Sequence, residues 1–148
     1  MPDTGVLGFQ IWSNVLVEFK HKILDLPLGK KINISIPKMF FTKRDFLISV
    51  IRGIFDTDGT LYIEHRNSRL YPRIEIRNIS KILVEQLKRI LLKIGFRATS
   101  YTCYRKEPNW NNIHVLSVRG DKMIKKWFNE IQPSNNKHIK KYYFYLNS

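Results

Sequence analysis

The sequence predicts an α+β fold with its elements in the order helix, strand, strand, helix, strand, strand, helix. Three segments repeat apolar residues with the 3.6-residue period of helices, and two pairs of segments alternate apolar and polar residues as strands do. A last short helix is predicted to begin at Asn135. The chain has 148 residues, 43% of them hydrophobic, so it can bury the core of one domain.

Residues 42–60 are predicted to form the helix around which the other elements are arranged. Thr42 and Asp45 are spaced as in a capping box, which predicts that the helix begins there. Gly59 is predicted to end the helix in the left-handed conformation. The apolar residues between these ends recur with helical spacing and are expected to face the core: Phe46, Leu47, Val50, Ile51, Ile54 and Phe55.

The same helix carries a second stripe of small and acidic residues. Ser49 and Gly53 are one turn apart, and a glycine inside a helix costs about 1 kcal/mol relative to alanine, so Gly53 indicates that another helix approaches closely. Asp56 and Asp58 lie at the negative end of the helix dipole, where an exposed carboxylate is disfavoured by about 0.3–1 kcal/mol. From the residues alone, this end is either a carboxylate pair that binds a divalent metal or an acidic helix end before an Asp-Gly turn.

Residues 51–59 read Ile-Arg-Gly-Ile-Phe-Asp-Thr-Asp-Gly and resemble the signature of the LAGLIDADG homing endonucleases, in the variant of archaeal intron-encoded and intein-embedded enzymes. The resemblance implies the αββαββα LAGLIDADG endonuclease fold, in which a curved antiparallel sheet forms a saddle over DNA. It implies that Asp58 and the backbone carbonyl of Thr57 bind a catalytic Mg²⁺ ion, for which Mn²⁺ would substitute. It gives Asp56 a mainly structural role at the end of the helix.

The resemblance also implies an oligomeric state, because the chain has a single copy of the signature. In the family, two such helices pack through their small-residue faces, so Ser49, Gly53 and Asp56 are expected at a dimer interface. One Asp58 provides half of the family's paired metal site. Two chains related by a two-fold axis would supply both halves, which predicts a homodimer acting on a palindromic or nearly palindromic duplex.

Two further catalytic residues are implied by the family pattern, which places a polar residue at the end of the second strand and a lysine after the third helix. Asn78 and Lys137 match these positions best, with Lys140 as the substitute for the lysine. Asn78 would position water and Lys137 would polarise the phosphate. The alternatives are an ordinary turn residue and an ordinary surface lysine.

Two hairpins are predicted to contact double-stranded DNA. The first, residues 60–77, has one apolar face and one polar face rich in long donors, and a two-stranded ribbon fits the major groove. The second runs roughly over 96–105 and 112–119, and its pattern leaves the faces of Thr99, His114 and Ser117 open. The alternative is a solvated sheet face. The predicted DNA-binding residues are Tyr62, Glu64, Arg66, Arg69, Tyr71, Arg73, Glu75, Arg77, Arg97, Tyr101, Arg105 and Lys106.

The composition agrees with a nucleic-acid partner. The chain has 26 Lys and Arg against 12 Asp and Glu, a formal charge of +14, which favours polyanions and makes binding salt-dependent. The alternative is a merely soluble basic protein. One cysteine, Cys103, excludes an intrachain disulfide and a cysteine zinc site and predicts an intracellular location. No signal peptide and no apolar run of membrane-spanning length is expected.

Sequence patterns also predict the remaining helix ends and the domain boundary. Ser80 and Asp121 are expected to cap the helices that follow them. Residues 1–40 are predicted to be an extension resembling the end of a preceding repeat, with a strand at 9–12, a helix from Ser13 to about Leu26 and a strand over 32–36, because Ser13-Asn-Val-Leu-Val-Glu echoes Ser80-Lys-Ile-Leu-Val-Glu. Residues 41–148 are predicted to form one endonuclease domain.

The predicted function is that of a site-specific homing endonuclease that makes double-strand breaks by metal-dependent phosphodiester hydrolysis. Two other functions fit the same residues. One is a non-cleaving DNA-binding relative or an RNA-splicing, maturase-like relative. The other is a fragment of a larger enzyme with two copies of the signature.

Overall fold

The computed structural model describes residues 12–28, 32–67, 69–107 and 109–148, and its centre is a four-stranded antiparallel sheet in the order β1-β2-β4-β3. The predicted order of helices and strands is confirmed. The elements are α1 Asn14–Glu18, α2 Arg44–Asp58, β1 Gly59–Arg66, β2 Arg69–Asn78, α3 Lys81–Lys93, β3 Ala98–Cys103, β4 Ile113–Arg119, α4 Asp121–Glu130 and α5 Asn136–Leu146.

The hydrophobic core lies between one face of the sheet and the apolar sides of α2, α3 and α4. Trp127 of α4 is fully buried, and its ring meets Phe55 of α2 edge-on at 5.3 Å and Phe96 at 5.6 Å. A hydrogen bond from Arg52 Nε to the Ile131 carbonyl, 2.7 Å long, also joins α2 to the end of α4. All four strands of the sheet contribute residues to the core: Leu61, Ile74, Ile76, Ala98, Leu116 and Val118.

The junction between α2 and β1 contains no loop. Gly59 has φ −87° and ψ 161°, so it is the first residue of a strand, and the prediction of a left-handed helix end is wrong. A glycine is needed there for a different reason. A Cβ atom at Gly59 would lie 2.5 Å from the Phe55 carbonyl oxygen and would overlap the Phe55 ring. The close approach of helix and strand therefore fixes where α2 ends.

Two predicted caps are wrong because other groups use the side chains. The Thr42 hydroxyl donates to the Met39 carbonyl at 2.8 Å in a 3₁₀ turn, and α2 begins after Lys43 without a side-chain cap. Asp121 is the first residue of α4 and not its cap. Its carboxylate accepts hydrogen bonds from the Tyr145 hydroxyl and from Lys125.

The apolar stripe of α2 is displaced from its predicted position. Phe46 is 43% exposed, whereas Ile48, which the pattern omitted, is 7% exposed and belongs to the core. Ile51 and Phe55 are fully buried as predicted. At the start of α2, the side of the helix that faces the core therefore differs slightly from the predicted side.

The predicted cap at Ser80 and the predicted start of a helix at Asn135 are confirmed. Ser80 caps α3 by accepting from the Leu83 amide at 3.3 Å, and Gly95 follows α3 with φ +84°, a conformation that favours glycine. Asn135 caps α5 by accepting from the Lys137 amide at 3.0 Å. In both caps the capping oxygen stays available to the helix, because the second contact of each side chain uses a donor group: the Ser80 hydroxyl donates to the Ile34 carbonyl, and the Asn135 side-chain amide donates to the Asp56 carbonyl.

The region before α2 differs from the predicted strand–helix–strand extension. Ser13 caps α1 as predicted, but the helix continues as a π-helical turn over Phe19–Ile23 and buries none of its residues. Residues 32–37 form no strand. Ile36 is buried instead as a single residue, and its amide donates to the Gln86 side chain at 2.8 Å. Residues 1–8 and most of the strand predicted at 9–12 lie outside the described residues. The domain boundary at residue 40 stays a prediction.

The two serine caps provide a matched test of this packing. The Ser80 hydroxyl is fully buried and also donates to the Ile34 carbonyl at 2.7 Å, whereas Ser13 caps a helix that contacts no core. We expect Ser80→Ala to lower the free energy of unfolding by about 1–3 kcal/mol. Ser13→Ala should change it by less than about 0.5 kcal/mol. Urea unfolding of both variants measures the difference, and equal effects would contradict the assignment.

Candidate nucleic-acid interface and metal site

The second face of the sheet is polar and lies opposite the core. The strand register puts Glu75 beside Ser117 and Ser117 beside Thr99, so the two undecided residues Thr99 and Ser117 lie on this face. His114 lies on the helix side, where its Nδ1 is 2.9 Å from the Thr102 hydroxyl. The polar face carries Tyr62, Glu64, Tyr71, Arg73, Glu75, Arg77, Thr99, Tyr101, Ser117 and Arg119.

An alternating chain of charges crosses β1 and β2 on the polar face. Glu64 binds Arg66 and Arg73, each at 2.7 Å. Arg73 Nε also lies 3.1 Å from Glu75 Oε1, although the two are not aligned for a hydrogen bond. Glu75 in turn binds Arg77 at 2.9 Å. Three arginines are therefore held by two carboxylates, and the side chains have little freedom to rearrange.

Glu75 is buried in spite of its place on the polar face. It is 1% exposed, so it cannot contact DNA directly as the sequence predicted, and its role is to hold the arginines. The hydrogen bond from Arg77 to Glu75 raises the pKa of the Arg77 guanidinium. Burial and the hydrogen bond to Glu75 raise the pKa of the Tyr101 phenol. Both groups therefore keep their protons at neutral pH.

The other predicted DNA-binding residues fall into three groups. Arg66, Tyr71, Arg77, Arg97 and Tyr101 are exposed on or beside the polar face, while Tyr62, Glu64 and Arg73 are half-buried there. A cleft of about 760 Å³ lies between the two hairpins. Arg66 and Arg73 line it on the side of the first hairpin, and Arg97 and Arg119 line it on the side of the second. Arg69 lies apart, in a separate cleft beside Asp121 and Tyr145. Arg105 and Lys106 are exposed in the loop between β3 and β4.

Three cationic or aromatic groups were missed from the sequence. Arg119 lies on the polar face, and its Nε donates to the Ser117 hydroxyl at 3.1 Å. Lys141 of α5 lies over the Tyr62 ring at 5.9 Å, and Arg105 lies over the exposed Trp110 ring at 5.4 Å. The alternation of β4 was a signal for Arg119. No local pattern links Lys141 to β1, because the contact joins distant parts of the chain.

The carboxyl end of α2 is held by a cluster of hydrogen bonds to the segment before α5. The Asp56 carboxylate accepts from the Ser134 hydroxyl at 2.7 Å, from the Ser134 amide at 3.0 Å and from the Asn135 amide at 3.3 Å. The Asn135 side-chain amide donates to the Asp56 carbonyl at 2.8 Å. These contacts agree with a structural role for Asp56 within its own chain. Its place at a dimer interface stays a prediction.

Electrostatics favour the ionised form of Asp56. Burial raises the pKa of Asp56, but the hydrogen bonds from Ser134 and Asn135 outweigh it, so the net pKa lies below the usual value. His138 of α5 is buried beside this cluster, with its ring 4.4 Å from the Phe55 ring. Burial lowers the pKa of His138, in spite of the nearby Asp56 carboxylate. The end of α2 is therefore fixed by a charged acceptor and by the contact between the His138 and Phe55 rings, which are tilted by 32°.

The next two residues have the properties of metal ligands. Asp58 is exposed and forms no ion pair among the described residues. It stands at the helix end, where the last carbonyls carry partial negative charge that attracts a cation. Thr57 is exposed, and its hydroxyl donates to the Gly53 carbonyl at 3.0 Å. A carboxylate and a carbonyl are the oxygen ligands that Mg²⁺ prefers.

Within the part of the chain that the structure describes, no three His, Cys, Asp or Glu side chains gather around a common point. The metal site, and the second Asp58 that would complete its ligands, stay predictions.

The predicted catalytic residues Asn78 and Lys137 occupy different surroundings. Asn78 Oδ1 accepts from the Ser80 amide at 2.8 Å, and Asn78 is on the same side of β2 as Ile76. Lys137 is exposed in the first turn of α5, next to the Asp56 cluster. The geometry thus gives Asn78 a structural partner and leaves the Lys137 amine accessible. Both catalytic assignments stay predictions.

One side of α2 is open in the single chain. Ser49, Gly53 and Thr57 are all exposed and recur every four residues. A Cβ atom built on Gly53 would meet nothing within 4 Å, so no contact with the described residues requires a glycine there. The Ser49 hydroxyl donates to the Asp45 carbonyl at 2.9 Å and thus lies flat against the helix. This face has the smooth, small surface that close helix packing needs.

The Asp56 cluster predicts a pH-dependent contribution to stability. Because the pKa of Asp56 is lowered on folding, its contribution is present above the unfolded-state pKa and is lost as pH falls through the lowered folded-state value. At pH 7, Asp56→Asn should lower the free energy of unfolding by about 1.5–3 kcal/mol, and the deficit should shrink in acid below about pH 4. Urea unfolding across pH measures it. Asp25→Asn, at an exposed turn, is the control, and an equal deficit in both variants would contradict the prediction.

Comparisons with known proteins place the chain in a family. Among residues 12–28, 32–67, 69–107 and 109–148, no helix is long and apolar enough to cross a membrane. The chain is 32% identical over 122 residues to glutamine–fructose-6-phosphate aminotransferase [isomerizing] of Methanocaldococcus jannaschii, covering 81% of this chain and 10% of that protein. It is 33% identical over 96 residues to ATP-dependent DNA helicase Hel308 of the same organism, covering 59% of this chain and 8% of that protein.

The chain therefore spans a tenth or less of the length of these two curated relatives. A family model described as a LAGLIDADG-like domain matches residues 45–132, which include α2, the whole sheet and α4. This match confirms the resemblance of residues 51–59. The chain belongs to the LAGLIDADG family of homing-endonuclease-type nucleases, which bind DNA.

Proposed function

We propose that this protein is a site-specific DNA endonuclease that acts as a homodimer and hydrolyses one phosphodiester bond on each strand with the help of Mg²⁺ or Mn²⁺. The observation that carries the proposal is the carboxyl end of α2. There an exposed Asp58 without an ion-pair partner among the described residues stands beside a charged Asp56 that is fully engaged in holding the helix end. An available carboxylate at Asp58, next to an Asp56 that is held by hydrogen bonds, is the arrangement expected of a metal ligand whose position is fixed by neighbouring residues.

The division of roles between residues follows from their contacts. Asp58 and the Thr57 carbonyl would hold the metal, which lowers the pKa of bound water and stabilises charge on the phosphate when it is bound. The Asp56 cluster keeps these ligands at a constant position relative to α5. The Lys137 amine, and Lys141 over the Tyr62 ring, place positive charge near the helix end, where a DNA backbone would lie. The polar face of the sheet holds the duplex in register.

The open side of α2 supports the dimer. No described residue of the same chain lies close enough to Gly53 to require a glycine there, and a glycine inside a helix costs stability. Close packing against the same helix of a second copy would account for it. A two-fold axis along this contact would bring two Asp58 residues together. It would also place the two polar faces on either side of the axis, which favours a palindromic or nearly palindromic target.

The two relatives support the view that this domain is inserted into unrelated host proteins. The aminotransferase and the helicase have unrelated names, yet each shares a segment of about 100 residues with this chain, which is a tenth or less of their length. A segment common to two unrelated proteins is independent of their activities. This favours a domain that is inserted into hosts, as in an intein or intron, from an archaeal source.

Cleavage of a plasmid library that carries randomised sites tests the proposal, with Mg²⁺ and Ca²⁺ compared in parallel. Breaks that need Mg²⁺ and map to a nearly palindromic sequence would support it. Salt-sensitive binding without breaks in Mg²⁺ would instead favour a non-cleaving DNA-binding protein or a fragment of an enzyme with two signatures. Preferential protection of RNA over duplex DNA would favour a maturase-like function.

The role of Asp58 predicts a separation of binding from cleavage. Asp58→Asn removes a metal ligand without adding bulk, so we expect cleavage in Mg²⁺ to fall by at least about 10³-fold, the scale of losing a main catalytic group. Binding to the same duplex in Ca²⁺ should change less than a few-fold. Asp45→Asn, a carboxylate at the opposite end of α2, is the control and should cut normally. Cleavage at the wild-type rate by Asp58→Asn would rule out the metal assignment.

The open face of α2 predicts the effect of a bulky side chain. Gly53→Leu has room in the isolated chain but would separate two closely packed helices, so the solution mass should fall from that of a dimer toward 17.7 kDa. Asn129→Leu adds the same group at an exposed position of α4 and should leave the mass unchanged. Light scattering during size-exclusion chromatography gives the mass. A strict monomer in the wild type, on DNA as well, would contradict the dimer.

A further inference from the structure

The starting point is the burial of Glu75 on the polar face. Charged side chains are almost never fully buried unless they are paired. Glu75 lies opposite the core, yet its side chain is only 1% exposed because Arg73, Arg77 and Tyr101 cover it. A carboxylate beneath a layer of arginines removes positive charge from a surface that needs it to attract DNA. Its retention calls for a role that outweighs this loss.

Both oxygens of Glu75 are used, and they approach donors from different strands. Oε1 accepts from the Tyr101 hydroxyl of β3 at 3.1 Å and lies 3.1 Å from Arg73 Nε. Oε2 accepts from Arg77 Nε at 3.2 Å and from Arg77 Nη2 at 2.9 Å. The carboxylate is thus fixed from one side by Tyr101 and Arg73, and it fixes Arg77 on the other.

The hydrogen bonds to Arg77 leave one edge of its guanidinium free. Nε and Nη2 form the lateral edge, which Glu75 occupies, so the terminal edge of Nη1 and Nη2 points away from the carboxylate. The Arg77 side chain is 51% exposed. Two parallel N–H donors in this arrangement match O6 and N7 of guanine in the major groove, the commonest specific contact between proteins and DNA. Arg73 has no such freedom, because two carboxylates hold it and it is 22% exposed.

The strand register places Arg77 close to the candidate metal site. Gly59, which follows Asp58, pairs with Ile76, the residue before Arg77. Neighbouring strands lie about 4.8 Å apart, so the two backbones at Asp58 and Arg77 are within roughly 10 Å. Since base pairs rise about 3.4 Å, the base that Arg77 contacts is expected within about four base pairs of the scissile phosphate.

We propose that Arg77 recognises one guanine in each half-site, near the position of cleavage, and that Glu75 is the positioning residue that holds Arg77 for this contact. The inference deepens the proposed function and rests on it. Arg77 contacts the base, whereas Glu75 acts through Arg77 and never touches DNA. The other exposed arginine of the network, Arg66, is held through Glu64 by a single oxygen. The structure therefore assigns the more rigid contact to Arg77.

The test measures base preference separately from affinity. Wild type, Arg77→Lys, Glu75→Gln and the control Arg89→Lys, an exposed position of α3, are each used to select duplexes from a randomised pool in Ca²⁺. The wild-type consensus is then made with 7-deazaguanine at each guanine in turn, which removes the N7 acceptor. Wild type and Arg89→Lys should lose about 5- to 150-fold in affinity at one guanine per half-site, and elsewhere little.

The two network variants should lose that base preference by different routes. Arg77→Lys keeps the charge but loses the planar fork with two parallel donors, so its affinity for random DNA should change less than about two-fold while the guanine preference falls several-fold. Glu75→Gln removes the negative charge and one of the two acceptor oxygens, so the hydrogen bonds that hold Arg77 become weaker. It should lose the same guanine preference, with affinity for random DNA equal or higher because a negative charge is removed. A general loss of folding would instead weaken binding to all sequences together.

Each outcome decides the inference. Loss of the same single guanine preference in both variants supports it. Because Arg77 is exposed, Arg77→Lys has little effect on folding. Retention of the guanine preference in this variant overturns the inference and leaves the proposed function intact. Loss in Arg77→Lys but not in Glu75→Gln overturns the positioning role. Absence of any DNA selection by the wild type would overturn both this inference and the proposed function.

Discussion

The position of Asp58 depends on the hydrogen bonds between Asp56 and the segment that leads into α5. Four donors from two consecutive residues, Ser134 and Asn135, converge on one aspartate at the end of α2. Carboxylates at a helix C-terminus are electrostatically disfavoured, and these donors offset that cost for Asp56. Asp58 forms no ion pair among the described residues, so its electrostatic cost is not offset there in this way. The cation of the proposed metal site would offset it.

The tight junction between α2 and β1 extends this constraint into the sheet. Because Gly59 begins a strand directly against Phe55, the orientation of α2 fixes the register of β1, and β1 fixes β2. The core face of the sheet then packs on Trp127, while the polar face carries Glu64 and Glu75 beneath their arginines. The same strands therefore determine the positions of the proposed metal ligands and of the proposed base-contacting groups. In this proposal, the fold sets the distance between the cleaved bond and the recognised base.

Sequence periodicity was sufficient for the fold, because helical and strand periods report which face of each element is buried. It also found the cap at Ser80 and the start of a helix at Asn135, where the capping oxygen accepts only from the helix amides among the described residues. It failed where a distant residue decides. Thr42 and Asp121 have the local pattern of caps, but Met39 and Tyr145 take their hydrogen bonds. Gly59 was recognised as necessary for the wrong reason, since the contact with Phe55 and not handedness requires it.

The candidate site was predicted in outline for the same reason. The signature at 51–59 contains Asp58 and the small face of α2, so both could be read from one short segment. The burial of Glu75 could not, because it depends on Tyr101, which reaches it only through the pairing of β2 with β4 and of β4 with β3. Nor could the partners of Asp56, which lie 78 residues away. Local patterns identify reactive residues, whereas cross-strand contacts determine which of them are free to react.

The central claim is that each of two copies contributes one Asp58 and cuts one strand. Dimers that contain one wild-type and one Asp58→Asn subunit, isolated through different affinity tags and incubated with the selected duplex in Mg²⁺, test it most directly. The account predicts that these mixed dimers nick a single strand and make few double-strand breaks. Double-strand breaks at the wild-type rate, or no cleavage of either strand while wild-type dimers cut both, would contradict two sites that each act through their own Asp58.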